Sequence, residues 1–200
     1  NPIDNFILSG LEQNKLAPPG RADNATLIRR LHFDLTGLPP SPQALAKYLA
    51  LLRQPQSYRQ LVDDLLDSPH YGERWGRHWL DVARYSDSNG ADENKPYPLA
   101  WRYRNYVIRQ FNRDTPYDVF VHQQIAGDLL VPQTTAITND QVNATTFLAL
   151  GVKIDAEQDP EKKRSDIIDE QIDTIGRAFL GVTIGCARCH DHKFDPFTAE

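Results

Sequence analysis

Residues 165 to 190 read SDIIDEQIDTIGRAFLGVTIGCARCH, and this stretch decides the class of fold. Ile168, Ile172, Ile175, Phe179 and Val182 follow one another at steps of four and three. Such steps hold apolar side chains on one face of an α-helix. The spacing predicts a long helix from about Ser165 that buries this face and runs into Cys186-Ala187-Arg188-Cys189-His190.

Working outward, the same period recurs and the prolines and glycines fall between the periodic stretches. Asn1-Pro2-Ile3-Asp4 is an N-cap, a proline at the first helical position and an acid in the first turn, predicting a helix to about Lys15. Asp23 and Asn24 cap a second helix with Leu27, Leu31 and Leu35 four apart, stopped by Gly37 and Pro39-Pro40. Ser41-Pro42 opens a third to about Leu52, and Ser57 caps a fourth with Leu61, Leu65 and Leu66 on one side. Ser68-Pro69 opens the most aromatic one, HYGERWGRHWLDVARY, ending near Tyr85. Further helices are expected at about 99–112, 117–130 and 139–149, whereas 153–165, KIDAEQDPEKKRS, reads as a solvated loop. No segment alternates with period two between hairpin signals. The expectation is an all-α fold of roughly eight helices, one bundle-like domain over residues 1–200, with C-x-x-C-H at the end of the last long helix.

Composition excludes several functions. The 200 residues carry 22 Lys+Arg against 27 Asp+Glu, a net charge of −5, so no basic face argues for nucleic acid. Trp101, Tyr103 and Tyr106 alternate with arginines, but at helical spacing they suit packing better than base stacking. Mean hydropathy is −0.55, and no window approaches the roughly 18 apolar residues of a membrane span. The chain opens on Asn1 with no initiator Met, which reads as a processed product or a piece excised from a longer protein.

The only two cysteines are Cys186 and Cys189, followed by His190. C-x-x-C-H is the attachment pattern for c-type haem: two thiols on one helical turn form thioethers with the haem vinyls, and the imidazole at i+4 from Cys186 becomes the proximal iron ligand. Two cysteines scattered at random sit three apart about one time in a hundred, and a following histidine is rarer still. The other readings are weaker. A redox dithiol of this spacing prefers a strand-to-helix turn, a disulfide across two residues is strained, and zinc would need a distant ligand beside Cys186, Cys189 and His190 or His192.

The stretches NPIDNFIL (1–8), LIRRLHFDLTGLPPSP (27–42), SPHYGERWGRHWLDVARYSDSNG (68–90), AWRYRNYVIRQFN (100–112) and GRAFLGVTIGCARCHDHKFDP (176–196) resemble the second cytochrome-like domain of large exported planctomycetal cytochrome proteins, a family catalogued as of unknown function. The resemblance spans essentially the whole chain. It implies a longer, exported parent protein and a haem cofactor, and it supplies no substrate. Periplasmic or other extracytoplasmic localisation also fits the chemistry of haem attachment.

With no Met in the chain, the thioether that commonly completes a cytochrome c is excluded. The distal candidates are His32, His70, His78, His122, His192 and Lys193, or an open site. His78 leads, with Asp81 at i+3 to orient its ring, Arg74 at i−4, and Trp75 and Trp79 as pocket walls. His192, two residues from His190, suits a supporting or propionate contact. Arg188 and Lys193, with Arg84, Arg102 and Arg104, are the candidate propionate partners. Asp87-Ser88-Asn89-Gly90 is read as an Asx turn in preference to a calcium loop; Asp191 and Asp195 are a further candidate cation pair. The functional expectation is electron transfer through one haem c to a redox partner or neighbouring domains. The alternatives are a haem enzyme with an open distal site, activating peroxide or oxygen with His78 and Arg74 or Arg84 as acid–base groups, a module whose haem only staples helices, or a zinc-stabilised helical module.

Overall fold

The computed structural model describes residues 1–55, 57–90, 94–130, 135–154 and 156–199. The described residues are helical throughout, with no strand and one isolated bridge, Ser88 to Pro96. Nine helices have at least ten residues: α1 Pro2–Gln13, α2 Asn24–Thr36, α3 Pro42–Leu51, α4 Ser57–Leu66, α5 Pro69–Val82, α6 Ala100–Asn112, α7 Tyr117–Ala126, α8 Thr135–Ala144 and α10 Pro160–Ile175. The tenth, α9 Thr146–Ala149, is a single turn.

The chain divides into two compact units. One comprises Asn1–Asp34 with Leu38–Val62, the other Leu35–Gly37 with Asp63–Glu200. In the first, Asn1 caps α1, its side chain accepting from Ile3 N at 2.9 Å, and the Asp23 carboxylate accepts from both Thr26 N and Thr26 Oγ1. Those bonds hold the Asp23 carboxyl below its ordinary range. The core side of α2 is displaced by one residue from the leucine register. Ile28 and His32 are buried, while Leu27 and Leu31 are half-buried. His32 tolerates this because its Nδ1 pairs with the Ile28 carbonyl at 2.9 Å and its ring meets Tyr48 edge-on.

The second unit is organised by α5 on α6. Gly72 and Gly76 are buried, and a Cβ at Gly72 would stand 2.4 Å from the Ile108 carbonyl oxygen. Two glycines four apart therefore bring the helices together. Asn112 locks the approach, accepting from Gly72 N at 2.8 Å and donating to the Pro69 carbonyl at 3.1 Å. Around this crossing Leu80, Ala83, Tyr103, Tyr106, Val107, Phe120 and Phe147 form the core, with Trp79, Ile175 and Phe179 packed against it. A polar thread runs through it: Trp79 Nε1 donates to Tyr103 OH at 2.9 Å, and Tyr103 OH donates to Gln124 Oε1 at 2.7 Å.

The C-terminal part corrects the sequence reading in three places. Helix α10 begins at Pro160, five residues earlier than expected, because Asp159 caps it by accepting from Glu161 N and Lys162 N. Its apolar stripe is split. Ile175 and Phe179 join the core, whereas Ile168 and Ile172 are exposed. The helix also does not run into the C-x-x-C-H. It widens into a π-turn over Gly176–Leu180 and stops at Gly181, whose φ of +68° reverses the chain. The motif begins in a separate 3-10 turn, Ile184–Arg188, and Cys189 and His190 follow directly after it. The expected helix at 139–149 is α8 and α9, α8 starting four residues earlier, with Thr145 between them.

Candidate functional site

The Ile184–Arg188 turn is fastened to one face of α10. Asp166, Asp169 and Asp173 recur at three and four residues, so they share a face. Asp173 Oδ1 accepts from Gly185 N at 2.8 Å. Arg188 spans the other two, its Nη2 2.8 Å from Asp166 Oδ1 and its Nε 2.9 Å from Asp169 Oδ2. Hydrogen bonding to Arg188 and Lys162 holds the Asp166 carboxyl below its ordinary range. The guanidinium expected to meet a propionate thus serves here to tie the motif to its helix.

After the motif, His192 organises the chain. Its Nδ1 accepts from the backbone N–H groups of Asp195 at 2.7 Å and Phe194 at 3.2 Å. A ring nitrogen that accepts carries no proton, so Nε2 bears the hydrogen and donates to Thr183 Oγ1 at 2.9 Å. The backbone of His192 also donates to the Phe197 carbonyl at 2.9 Å. Both ring nitrogens are therefore occupied in closing the loop onto Thr183, just before the motif.

His190 is arranged differently. Its Nδ1 lies 2.8 Å from the Asp191 carbonyl oxygen; the carbonyl only accepts, so Nδ1 is the donor and Nε2 is left outside this bond. His190 is exposed, and Cys186 and Cys189 are exposed free thiols. Two accessible sulfurs followed by an exposed imidazole are the donor set that covalent haem attachment would use. Beside this turn, Arg188 contributes to a cavity of about 320 Å³ whose lining mixes apolar Val152, Ile154 and Ile167 with Lys153 and Lys163 and with the carboxylates of Glu157, Asp166 and Glu170. Lys193 lies over the Phe194 ring, 5.1 Å from its centroid, and Phe194 is 83% exposed.

The remaining candidates are distributed. His78 is exposed on α5, its ring 5.4 Å from that of Trp75, and Asp81 is exposed as well. Trp79, expected as a pocket wall, packs in the core against Phe120, Phe147 and Phe179. His70 pairs with Glu73 at 2.8 Å, His122 is exposed on α7 and His32 is buried on α2. Arg84 donates to the Leu150 carbonyl at 2.6 Å and pairs with Glu170, while Arg102 lies over Trp101 and Arg104 is half-buried on α6. The expected Asx turn at 87–90 is not what closes this segment: Ser88 N donates to Ser86 Oγ at 3.2 Å, and Asn89 is fully buried with longer-range partners. Its Oδ1 accepts from Lys95 N and its Nδ2 donates to the Lys153 carbonyl. Among the described residues, no three His, Cys, Asp or Glu side chains converge as a metal-holding group, and no helix is long and apolar enough to cross a membrane.

Sequence reasoning missed Asp173, Thr183 and the Asp166–Asp169 pair. The signal was present as an acidic stripe on α10, beside the apolar one, but its partner turn is a tertiary neighbour that spacing alone does not identify.

Fold and site together define an all-helical domain that presents two thiols and an imidazole on an exposed turn tied to its longest helix. The family model PSCyt2, described as a protein of unknown function (DUF1549), matches residues 2–200. The chain belongs to that family, a planctomycete cytochrome-associated domain. No curated protein and no solved structure matches it.

Proposed function

We propose that this domain is a c-type cytochrome module of an exported protein, carrying one haem through Cys186 and Cys189 with His190 as proximal ligand and passing electrons to a redox partner or neighbouring domains. The observation that carries the reading is the pairing of two exposed thiols with a His190 whose Nδ1–H is held by the Asp191 carbonyl, leaving Nε2 outside that bond. When bound, haem supplies one-electron chemistry. The chain's own contribution is positional. Asp173, Asp166 and Asp169 hold the motif turn against α10, and His192 with Thr183 closes the segment after it. Lys193, next to the motif and over the exposed Phe194 ring, is the nearby cation suited to a propionate. Exposed Ile168 and Ile172 on α10 offer apolar surface on the helix that carries the turn.

The distal position is assigned to His78 or left open. With two strong axial ligands the iron is low-spin in both oxidation states; with one, the ferric form is high-spin and responds to cyanide. The test is the optical spectrum of protein matured by the haem-attachment machinery, with and without His78→Ala. Low-spin haem that becomes high-spin in the variant supports a bis-histidine carrier. High-spin haem in the parent protein favours the open-site enzyme instead. A correctly exported product without haem contradicts both.

A further inference from the structure

Away from the motif, at the end of α6, lies a cavity of about 190 Å³ whose lining includes Tyr71, Trp79, Phe111, Tyr117 and Phe120, with Asp114 among the polar members. We propose that this pocket binds an organic ammonium cation, in the manner of an aromatic cage closed by a carboxylate. The rings meet at steep angles. Trp79 and Phe120 cross at 74° with centroids 4.8 Å apart, and Phe111 and Phe120 at 73° and 6.2 Å. These contacts are the rings' packing on one another; what the cavity meets is the remaining surface of five aromatic side chains, which suits an apolar-rimmed cation.

The acid is placed by the backbone. Asp114 follows α6 with φ +49°, its N–H donating to the Phe111 carbonyl at 3.2 Å. The next residue, Thr115, fastens the turn by donating from Oγ1 to Gln110 Oε1 at 2.7 Å and from N to the Gln110 carbonyl at 3.1 Å. The Asp114 carboxylate forms no hydrogen bond or ion pair among the described residues. The nearest arginine in sequence, Arg113, is paired instead with Asp140. An unpaired carboxylate disfavours anions, and an aromatic lining costs a strongly hydrated inorganic cation its water without replacing it. An alkylated ammonium, weakly hydrated and apolar at its rim, suits both. Gln110, buried and also part of the lining, carries an amide nitrogen free of any such partner, a donor for an oxygen on the ligand.

Two sources share this chemistry: a small quaternary amine such as choline, and a methylated lysine side chain on a peptide. The experiment titrates the whole domain by calorimetry at constant ionic strength with choline, with a trimethyllysine peptide, and with the neutral analogue of choline in which carbon replaces the ammonium nitrogen. The expected result is saturable binding of a cation, at least about tenfold tighter than the neutral analogue, with the tighter of the two cations identifying the source. Asp114→Asn keeps the shape and tolerates the left-handed backbone; it should weaken cation binding about tenfold and leave the neutral analogue unchanged. Tyr117→Leu, at a residue 61% exposed and so marginal to folding, should weaken the cation more than the analogue. Equal binding of cation and analogue, indifference to Asp114→Asn, or no saturation by either cation would overturn the proposal.

Discussion

The α5–α6 crossing and the C-x-x-C-H turn are held by opposite means. At the crossing, glycine against backbone carbonyl and ring against ring leave Tyr103, Tyr106, Val107 and Phe147 with no exposed surface. The turn contributes one buried residue, Ala187, and is attached through a backbone N–H on Asp173 and an arginine across two aspartates. Apolar packing is non-directional and large; hydrogen bonds and exposed ion pairs are directional and individually small. The fold therefore rests on the first region, and the second is free to keep its thiols and imidazole accessible.

This contrast can be broken from the core side first. Phe147→Ala removes a ring packed on Trp79 and Phe179 and is expected to cost about 3–5 kcal/mol in denaturant unfolding. Gly72→Ala should follow, at about 1–3 kcal/mol, because the new methyl meets the Ile108 carbonyl and the Asn112 amide, which cannot both retreat. Asp173→Ala sharpens the comparison from the other side. Global stability should fall by only about 1 kcal/mol, while amide exchange at Gly185 accelerates far more than exchange in α6. An equal loss of protection in both would show that the turn and the core unfold as one.

The smallest effect is titrational. Burial, then the hydrogen bond to Asp87, pushes the Tyr85 phenol up to about 12, and burial raises Tyr103 and Tyr106 further. A phenol with its folded pKa raised stabilises the protein fully below its unfolded value of about 10 and loses that contribution as pH climbs through the folded value. Stability should therefore be insensitive to these groups at neutral pH and decline above about pH 10. Absorbance at alkaline pH should show Tyr103 and Tyr106 ionising only with unfolding.

What could be read from the chain follows the same division. Helix starts at Asn1, Ser41 and Ser68 were legible because capping is local chemistry, and Asp159-Pro160 carried the same signal inside a charged run that masked it. The α10 stripe was legible as helix but not as burial. Period places Ile168 and Ile175 on one face without saying where the neighbouring helix ends. Gly181 was the stop that separates α10 from the motif, although a long apolar run continues through it. Cys186, Cys189 and His190 announced their chemistry by spacing, whereas the roles of Asp173, Thr183 and His192 exist only once the chain has folded back. Arg188 shows the limit most plainly: its position within the motif says nothing of Asp166 and Asp169 on α10, which its guanidinium meets.

The central claim is that the exposed turn is a haem anchor. The most direct measurement is the intact mass and thiol count of the domain after export through the haem-attachment machinery. One haem per chain is expected, with neither Cys186 nor Cys189 open to alkylation, and the adduct should be lost in the Cys186→Ser, Cys189→Ser double variant. Two alkylatable thiols and the mass of the bare polypeptide would contradict it.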